Sequence, residues 1–264
     1  MCRLLAYLGA PIAAEDLITK PEHSLVVQSY QPRELEVALL NADGFGLGWY
    51  GDTETDPNPH IYRNVLPIWN DGNLADLCRY IRTGSLLANI RSATPGLPLD
   101  FSNCQPFRHG SLLFVHNGYI DRFRQTLYRP IRDLIGDLAY QNIYGLTDSE
   151  HIFALVTHVL EEKPELGLRQ ALEAALVTVI QLANDYGVRA CGVIILGDGT
   201  QLVAARFDNQ AKAPSFYYLQ QPQGIVLASE PLFPDSWQPV PQGSSLTVTT
   251  ADLQPTIHDF SYHP

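Results

Sequence analysis

The sequence lacks any uninterrupted apolar run of the length that a membrane helix needs, which is roughly 18 residues. It is also poor in positive charge, because Lys and Arg total 17 against 28 Asp and Glu, giving a formal net charge of −11 at pH 7. A negatively charged surface repels the phosphate backbone of nucleic acids. We therefore expect no membrane span and no nucleic-acid partner.

Cysteine is scarce, and its spacing excludes two common uses. The four cysteines form no C-x-x-C pair, and the eight histidines form no H-E-x-x-H pattern. The sequence therefore predicts neither a disulfide scaffold nor a zinc site. Cys78, Cys104 and Cys191 are interpreted as reduced thiols packed in the core. We expect a cytoplasmic protein that holds no metal and no cofactor.

The rest of the composition is typical of one ordered globular domain. The chain has 264 residues, of which 45% are apolar and 17% are charged, and no composition break marks a linker. Strand-like segments occupy both ends of the chain, and helical segments occupy the middle. This segregation favours α+β layering, with helices covering two stacked sheets. We predict a single domain over residues 1–264.

The coarse assignment of secondary structure contains several local signals. The first strand, from Cys2 to Leu8, is expected to end at Gly9 and Pro11. Residues 116–118 are interpreted as a turn, and Asp198-Gly199 as a hairpin. The glycines of residues 41–49 follow no phosphate-binding pattern and are interpreted as allowing close backbone approach in a sheet. Strands are predicted at 2–8, 44–50, 60–64, 85–91, 111–115, 188–196, 202–207, 215–219, 224–228 and 245–250, and helices at 13–19, 74–83, 123–127, 131–139, 148–160 and 166–186.

Cys2 carries the main functional signal. If Met1 is removed, the thiol and a free α-amine share one carbon, whereas a retained Met1 turns that nitrogen into an amide that is not a base. An unperturbed α-amine has a pKa of about 7.7–8.0, which suits a general base at cellular pH. Activation of a nucleophile by an N-terminal amine is established chemistry. The alternatives are an ordinary buried cysteine and a signal peptide formed by Arg3 and the apolar residues 4–10.

Three further segments carry groups that suit one substrate. Arg91 offers a guanidinium fork for a carboxylate, and the Thr94 hydroxyl adds a further hydrogen bond. The Asn117 amide and the Gly118 N–H suit an oxyanion. Asp148 begins a predicted helix and suits an ammonium group. Taken separately, each has a structural alternative: a surface ion pair, an Asn-Gly hairpin turn and a helix N-cap.

Together these groups fit an α-amino acid whose side chain ends in an amide, such as glutamine or a γ-glutamyl peptide. In this hypothesis Arg91 and Thr94 bind the α-carboxylate, and Asp148 binds the α-ammonium group. His116 belongs to the same substrate-binding set. Cys2 attacks the γ-carbonyl carbon. The alternative is a generic α+β packing domain in which these groups lie far apart.

The order of the motifs resembles the class II glutamine amidotransferases, which are N-terminal-nucleophile hydrolases. An N-terminal Cys, an R-x-A-T segment, an H-N-G segment and a D-S-E helix start cover most of the first 160 residues. The resemblance implies a four-layer αββα sandwich with two stacked, mainly antiparallel sheets. It also implies that Cys2 is the nucleophile, that its α-amine is the base, and that Asn117 and Gly118 form the oxyanion hole of a thioester pathway.

A narrower resemblance concerns the stand-alone γ-glutamyl amidohydrolases of ergothioneine biosynthesis and of glutathione breakdown. It rests on residues 41–50, on Arg-Leu-Leu-Ala-Tyr after the cysteine, and on Ser229-Glu230-Pro231. It implies a small-molecule γ-glutamyl substrate. The chain departs from many relatives at Ser92 and Pro95, where they carry a bulky aromatic residue and a histidine.

Three questions stay open at this stage. The leaving amine is undefined, because nothing in the sequence describes the pocket beyond the γ-carbonyl. The chain ends without room for a synthetase domain, so one alternative is a glutaminase subunit that delivers ammonia to a separate synthase. A second alternative is a non-catalytic protein that binds glutamyl compounds. A protein partner and a homo-oligomer both remain possible.

Overall fold

Two stacked antiparallel sheets form the centre of the structure. The computed structural model describes residues 2–34, 40–93 and 99–260. Its strands are β1 (Arg3–Ala13), β2 (Phe45–Trp49), β3 (His60–Asn64), β4 (Arg82–Ile90), β5 (Phe107–His109), β6 (Leu112–Ile120), β7 (Ala190–Gly197), β8 (Gln201–Asp208), β9 (Tyr217–Gln221), β10 (Gly224–Ala228), β11 (Gln238–Pro239), β12 (Ser244–Thr249) and β13 (Thr256–Asp259). Within these residues the first sheet has the order β11-β9-β10-β1-β4-β2-β3, and the second has the order β13-β12-β8-β7-β6-β5.

Helices cover the outer face of each sheet. They are α1 (Glu15–Ile18), α2 (Leu25–Tyr30), α3 (Leu74–Tyr80), α4 (Tyr128–Leu134), α5 (Asp137–Gln141), α6 (Asp148–Glu162) and α7 (Leu168–Asp185). The first three pack against the first sheet, and the other four pack against the second. The predicted four-layer αββα sandwich is therefore confirmed. Within the described ranges, no helix is long and apolar enough to cross a membrane.

The core between the two sheets follows from the alternation of side chains along each strand. Leu4, Ala6 and Leu8 of β1 are completely buried in one cluster with Leu113 and Val115 of β6. The odd-numbered residues of β1 face the helices instead, because successive side chains of a strand point to opposite sides. This alternation decides which residues near the strand ends face the gap between the sheets.

The first strand is longer than predicted. The prediction that it ends at Gly9 and Pro11 is wrong, because β1 continues to Ala13. Its pairing with β4 shifts register between Leu8 and Ile12. Such an irregularity leaves residues outside the hydrogen-bonded ladder, so Pro11, which has no N–H to donate, is accommodated there.

The prediction of a turn at residues 116–118 is also wrong. Strand β6 runs through these residues to Ile120 and pairs with β7 along its whole length. Gly118 lies opposite Gly192, and a Cβ atom at Gly118 would clash with the carbonyl oxygen of Cys191. The glycine therefore serves a close approach of two strands rather than a hairpin.

Other differences concern the ends of elements. The predicted helix at 131–139 is divided into α4 and α5, because the backbone is extended at Ile135 and Gly136. Helix α2 and strands β5, β11 and β13 were not predicted. The Asp198-Gly199 hairpin is confirmed, with Gly199 at a φ of +92° between β7 and β8.

The glycines of β2 lie in close contacts, as the sequence predicts. A Cβ atom at Gly46 would clash with the main-chain oxygen of Gln105. One at Gly48 would lie 2.7 Å from Cδ1 of Leu113. The absence of side chains here lets the segment before β5 and the start of β6 lie directly against the first sheet.

We expect Gly46→Ala to destabilise the fold, because the added methyl group meets a backbone atom that has no freedom to rotate away. The expected loss is about 1–3 kcal/mol in the free energy of unfolding, measured by urea denaturation. Gly72→Ala is the matched control, since nothing lies within 4 Å of a Cβ atom at that position. Equal stability of the two variants would contradict the proposed contact.

Candidate active site

Cys2 lies at the edge of the gap between the two sheets. It directly precedes β1, and the alternation of that strand places its side chain on the same side as Leu4. The residue is only 9% exposed, and its Sγ makes a weak hydrogen bond of 3.9 Å to the main-chain oxygen of Ser92. Because Ser92 follows β4, the thiol contacts the segment that carries the candidate arginine.

Arg91 lies beside Cys2 at the end of β4. The preceding residue, Ile90, pairs with Arg3 on one side and with Phe45 on the other. Arg91 is 4% exposed, and its Nη1 is 3.4 Å from the main-chain oxygen of Asp43. No carboxylate among the described residues forms an ion pair with its guanidinium group. The group therefore remains suited to an external carboxylate.

The main chain around Arg91 is held firmly. Its N–H donates to Gly44 O at 2.8 Å, and the N–H of Asp43 donates to its carbonyl at 3.1 Å. The Asp43 carboxylate accepts a hydrogen bond of 2.7 Å from the N–H of Ala93. Thr94, the predicted second ligand of the carboxylate, lies outside the described residues.

Asn117 faces the gap from the second sheet. It follows Val115 by two residues along β6, so the alternation places both on the inner face. The residue is completely buried, and neither its Nδ2 nor its Oδ1 has a hydrogen-bond partner in the described part of the chain. A buried amide without hydrogen-bond partners lowers the stability of the fold, so the group is a candidate for binding a ligand.

The N–H of Gly118 points away from β7. In an antiparallel strand, the backbone groups of alternate residues point to opposite edges. The N–H of His116 donates to Gln105 Oε1 at 2.6 Å, and the N–H of Ile120 donates to Asp148 Oδ2 at 2.7 Å. The N–H of Gly118 lies between these two on the same edge. Strand β5 pairs with residues 112–114 of β6 and does not reach Gly118.

Asp148 is tied to the same edge of β6. It is the first residue of α6 and is half-buried. Its Oδ2 accepts from Ile120 N at 2.7 Å, and its Oδ1 accepts from Ser149 N at 2.8 Å. The Ser149 hydroxyl also donates to Oδ1 at 3.3 Å. A carboxylate oxygen has about two acceptor positions, so Oδ2 keeps one for an additional donor. The start of α6 is thereby fixed two residues beyond Gly118.

His116 lies on the opposite face of β6 from Asn117. Its Nδ1 is 2.9 Å from Ser149 Oγ at the start of α6, and the side chain of Gln105 bonds both its N–H and its carbonyl oxygen. Burial lowers the pKa of His116, against the opposing effects of the Asp148 charge and the Cys191 carbonyl. These contacts fix the strand, and direct substrate binding by His116 stays a prediction.

The segment around Cys104 and Gln105 joins the two sheets at this end. A Cβ atom at Gly44 would lie 2.8 Å from Cys104 Sγ, and Gln105 contacts both Gly46 and His116. Burial raises the pKa of the Cys104 thiol, against the opposing charges of Arg91 and Arg63. The start of β1, the end of β4 and the inner face of β6 therefore meet at one end of the sandwich.

Several residues that support this arrangement were missed by the sequence analysis. Asp43 and Gln105 hold the main chain on either side of the gap. Glu230 holds the first strand through its ion pair with Arg3. Asp43 lies within a segment that was singled out for its glycines alone. The motif Ser229-Glu230 was noticed, but no pattern linked it to Arg3.

Two cavities lie among the described residues, and none of Cys2, Arg91, Asn117 and Asp148 lines either of them. One of about 840 Å³ is lined by Arg63, Phe101 and Glu150, on the side of β3, β5 and α6. Another of about 610 Å³ is lined by Glu34 and Arg206. Within 2–34, 40–93 and 99–260, no group of three or more His, Cys, Asp or Glu residues is arranged to hold a metal ion.

The start of α6 is capped by Thr147 without a reciprocal bond from Glu150. Thr147 Oγ1 accepts a hydrogen bond of 3.3 Å from Glu150 N. The Glu150 carboxylate, however, accepts from the N–H groups of Tyr144 and Gly145 instead of the cap residue. His151 donates from Nδ1 to Thr147 O at 2.7 Å, which adds a second hold on the capped turn.

Comparison with known sequences identifies relatives along the whole chain. A family described as Glutamine amidotransferases class-II matches residues 1–216. The gamma-glutamyl-hercynylcysteine sulfoxide hydrolase of Mycolicibacterium smegmatis is 32% identical over 254 residues, which are 96% of this chain and 98% of that protein. The probable glutamine amidotransferase DUG3 of Saccharomyces cerevisiae is 30% identical over 307 residues, covering 98% of this chain and 85% of that protein.

Solved structures give a consistent result. A glutamine aminotransferase class-II domain protein from Silicibacter pomeroyi matches with a TM-score of 0.72 and 28% identity, covering 99% of this chain and all of that one. The glutamine phosphoribosylpyrophosphate amidotransferase of Bacillus subtilis has a TM-score of 0.68 at 16% identity, covering 99% of this chain and 50% of that one. The second likeness concerns the fold alone.

We expect Asn117→Leu to leave the free energy of unfolding unchanged or to raise it by about 1 kcal/mol, because it removes a buried amide that has no partner. Asn103→Leu is the matched control. Asn103 is also buried, but its Oδ1 accepts from Leu146 N at 3.1 Å, so we expect a loss of about 1–3 kcal/mol. Urea denaturation measures both, and equal losses would contradict this assignment.

We also expect acid to weaken the fold through His151. Burial lowers its pKa to about 4, and its Nε2 accepts a hydrogen bond of 2.8 Å from Arg132 Nε, which requires the neutral ring. The unfolded chain binds the proton near pH 6.5, so stability falls as the pH drops from about 6.5 to 4, by roughly 3 kcal/mol.

The measurement is urea denaturation between pH 7 and pH 4. His151→Gln keeps an acceptor for Arg132 and should flatten this pH dependence, although buried His116 leaves part of it. His60→Gln, at an exposed histidine, is the control and should follow the unmodified protein. A slope that His151→Gln leaves unchanged would show that another group titrates.

Proposed function

The chain belongs to the class II glutamine amidotransferases, and on that premise we propose that it hydrolyses the γ-glutamyl amide bond of glutamine or of a γ-glutamyl compound through a Cys2 thioester. The observation that supports this proposal is the contact of the Cys2 thiol with the segment after β4, together with the inward position of Asn117 on β6, which faces the same gap. The relatives named as a γ-glutamyl hydrolase and a glutamine amidotransferase support the same class of bond.

The first step is attack by the thiol. Removal of Met1 frees the α-amine of Cys2, which accepts the thiol proton, and the sulfur then forms a bond to the γ-carbonyl carbon. Negative charge develops on the carbonyl oxygen. The Asn117 amide and the Gly118 N–H donate to it, and each such donor is typically worth about 2.7–4 kcal/mol in barrier lowering.

Binding of the glutamyl part relies on two charged groups. The Arg91 guanidinium binds the α-carboxylate, with Thr94 as the proposed second donor. The Asp148 carboxylate binds the α-ammonium group through the acceptor position that Ile120 leaves free on Oδ2. Two charges of opposite sign fix the α-carbon, so the γ-carbonyl is held at a defined distance from the sulfur.

The second half of the reaction releases glutamate. When the tetrahedral adduct collapses, the bond from carbon to nitrogen breaks and the amine leaves with the proton carried by the Cys2 ammonium group. Water then attacks the thioester, giving its proton to the freed α-amine. The bond from carbon to sulfur breaks, the thiolate takes up this proton, and glutamate dissociates.

His116 acts in this proposal by positioning rather than by contact. Its ring holds Ser149, the residue after Asp148, while its main chain is held by Gln105. The oxyanion donors on β6 and the ammonium-binding carboxylate on α6 thereby keep a fixed separation. We further propose that residues 1–264 form one such domain, and a cytoplasmic location stays a prediction.

The test compares Cys2→Ala with Cys78→Ala, which also removes a buried free thiol. We expect Cys2→Ala to lower glutamate release from glutamine and from a γ-glutamyl peptide by about 10⁴-fold or more, because it removes the nucleophile. Cys78→Ala should keep activity. Undiminished release by Cys2→Ala would overturn the proposal.

Intact mass spectrometry adds an independent readout. The processed protein should lack Met1 and should gain one adduct from a diazo analogue of glutamine, which Cys2→Ala should not gain. Ligand-induced thermal stabilisation without turnover or thioester would favour a binding protein instead. Glutamine turnover that rises when a synthase partner is added would favour the ammonia-delivering subunit.

A further inference from the structure

A buried ion pair involves Arg3, the residue that follows the candidate nucleophile in the sequence. Arg3 and Glu230 are 0% and 1% exposed, and Arg3 Nη1 is 3.1 Å from Glu230 Oε1. The guanidinium makes no well-angled hydrogen bond among the described residues, so the pairing is mainly electrostatic. Buried charges of this kind are costly, and they are seldom kept for stability alone.

Glu230 also connects the first strand to other parts of the chain. Its Oε2 accepts from His23 Nε2 at 2.7 Å and from Arg33 N at 2.9 Å, and its Oε1 accepts from Glu34 N at 3.0 Å. The carboxylate therefore holds the strand that follows Cys2, the segment before α2 and the segment after it.

The residue before Glu230 fixes the same strand from its edge. Ser229 N donates to Leu4 O at 3.0 Å, and Leu4 N donates to Ser229 Oγ at 2.9 Å. The Ser229 carbonyl in turn accepts from Ser215 Oγ at 2.8 Å. The first two residues after Cys2 are thus each held by one member of the Ser229-Glu230 motif.

We propose that Glu230 and Arg3 are a positioning pair for the reaction, which sets the direction in which the Cys2 thiol and α-amine enter the gap. This inference rests on the proposed function of Cys2. A chain terminus has only one covalent neighbour, so the orientation of Cys2 depends on how firmly Arg3 is held. A displacement of about 1 Å at a reacting atom lowers a rate by as much as 10²-fold.

The pair also sets the charge next to the proposed base. Arg3 faces Glu230 from the segment after β10 and Glu34 from the segment that precedes residue 35, and it interacts with the Cys2 thiol. His23 contacts the far oxygen of Glu230. With Glu230 neutralised, the Arg3 charge disfavours a nearby ammonium group. With Arg3 removed, the Glu230 charge favours it.

Other charged and titratable groups lie near Cys2. Cys104 interacts with Cys2 and, in turn, with Arg91 and Arg63. These side chains are all still present when Arg3 or Glu230 is replaced. A shift in the pH profile of those two variants therefore reports on the buried pair and not on the substrate-binding groups.

The experiment measures kcat, KM and the pH dependence of kcat/KM for glutamate release by Glu230→Gln and Arg3→Met. Rates are divided by the fraction of protein that a diazo-glutamine analogue labels. We expect kcat to fall about 10- to 100-fold, with KM changed less than about threefold, because the glutamyl-binding groups stay in place.

The pH profiles should move in opposite directions. The acidic limb of kcat/KM should shift to lower pH in Glu230→Gln and to higher pH in Arg3→Met, by about half a unit or more in each. Glu173→Gln is the matched control, since Glu173 on α7 pairs with Arg169 at 2.8 Å. It should leave kcat and the pH profile unchanged.

A neutral double variant separates positioning from folding. Replacing both charges of a buried pair is often tolerated, whereas removing one is destabilising. If the single variants do not fold, Arg3→Met/Glu230→Gln should fold, keep its acidic limb near that of the unmodified enzyme, and still show the lower kcat.

Folded variants with unchanged kcat and unchanged pH profile would overturn the positioning role. A fall in the total rate that disappears once the rate is divided by the labelled fraction would overturn it as well. These outcomes are distinct from failure of the proposed function, because that failure is seen in Cys2→Ala alone. An inactive Cys2→Ala beside fully active Glu230→Gln and Arg3→Met would leave the nucleophile assigned and the pair merely structural.

Discussion

The two-residue alternation of antiparallel strands is the constraint on which the candidate site depends. In the middle of the sandwich, the inward positions of β1 and β6 and Leu87 of β4 are apolar, and they close the gap between the sheets. At one end of the same strands the inward positions become Cys2, Arg91 and Asn117. These candidate groups are held by the strands that form the core, because Cys2 directly precedes β1, Arg91 directly follows β4 and Asn117 lies within β6.

This arrangement leaves polar groups buried without partners. Asn117 has none within the described residues, and the Arg91 guanidinium faces no paired carboxylate there. An unpaired buried polar group costs about 1–3 kcal/mol, and its desolvation makes it a stronger donor to a ligand that arrives. In the proposed function, the bound substrate supplies the missing partners, a balance of stability against activity that is common in enzymes. The ties of His116 and Asp148 to neighbouring elements limit the cost by fixing the backbone around it.

Local sequence signals predicted the elements better than their ends. The hairpin at Asp198-Gly199 formed as expected, because a two-residue turn needs only its own backbone preferences. The Asn117-Gly118 pair carries the same signal, yet it lies inside a strand. There the pairing with β7 prevails, and the missing side chain of Gly118 serves contact with Gly192 instead of a turn. The extension of β1 past Pro11 is also a matter of pairing, since Ile12 and Ala13 resume the ladder with β4 beyond the irregularity that accommodates Pro11.

The sequence by itself determined the layered α+β class and the chemical groups of the candidate site. Both depend on residue types at short range: the order of strand-like and helical segments, and motifs that carry a thiol, a guanidinium group, an amide and a carboxylate. Only the tertiary structure decided that Glu230 lies behind Arg3, that Gln105 supports His116, and that His116 faces away from the gap. Such contacts join residues that are distant in the sequence, as the 225 positions between Leu4 and Ser229 also illustrate. Local preferences act over a few residues, so strand order and register alone decide which distant side chains meet.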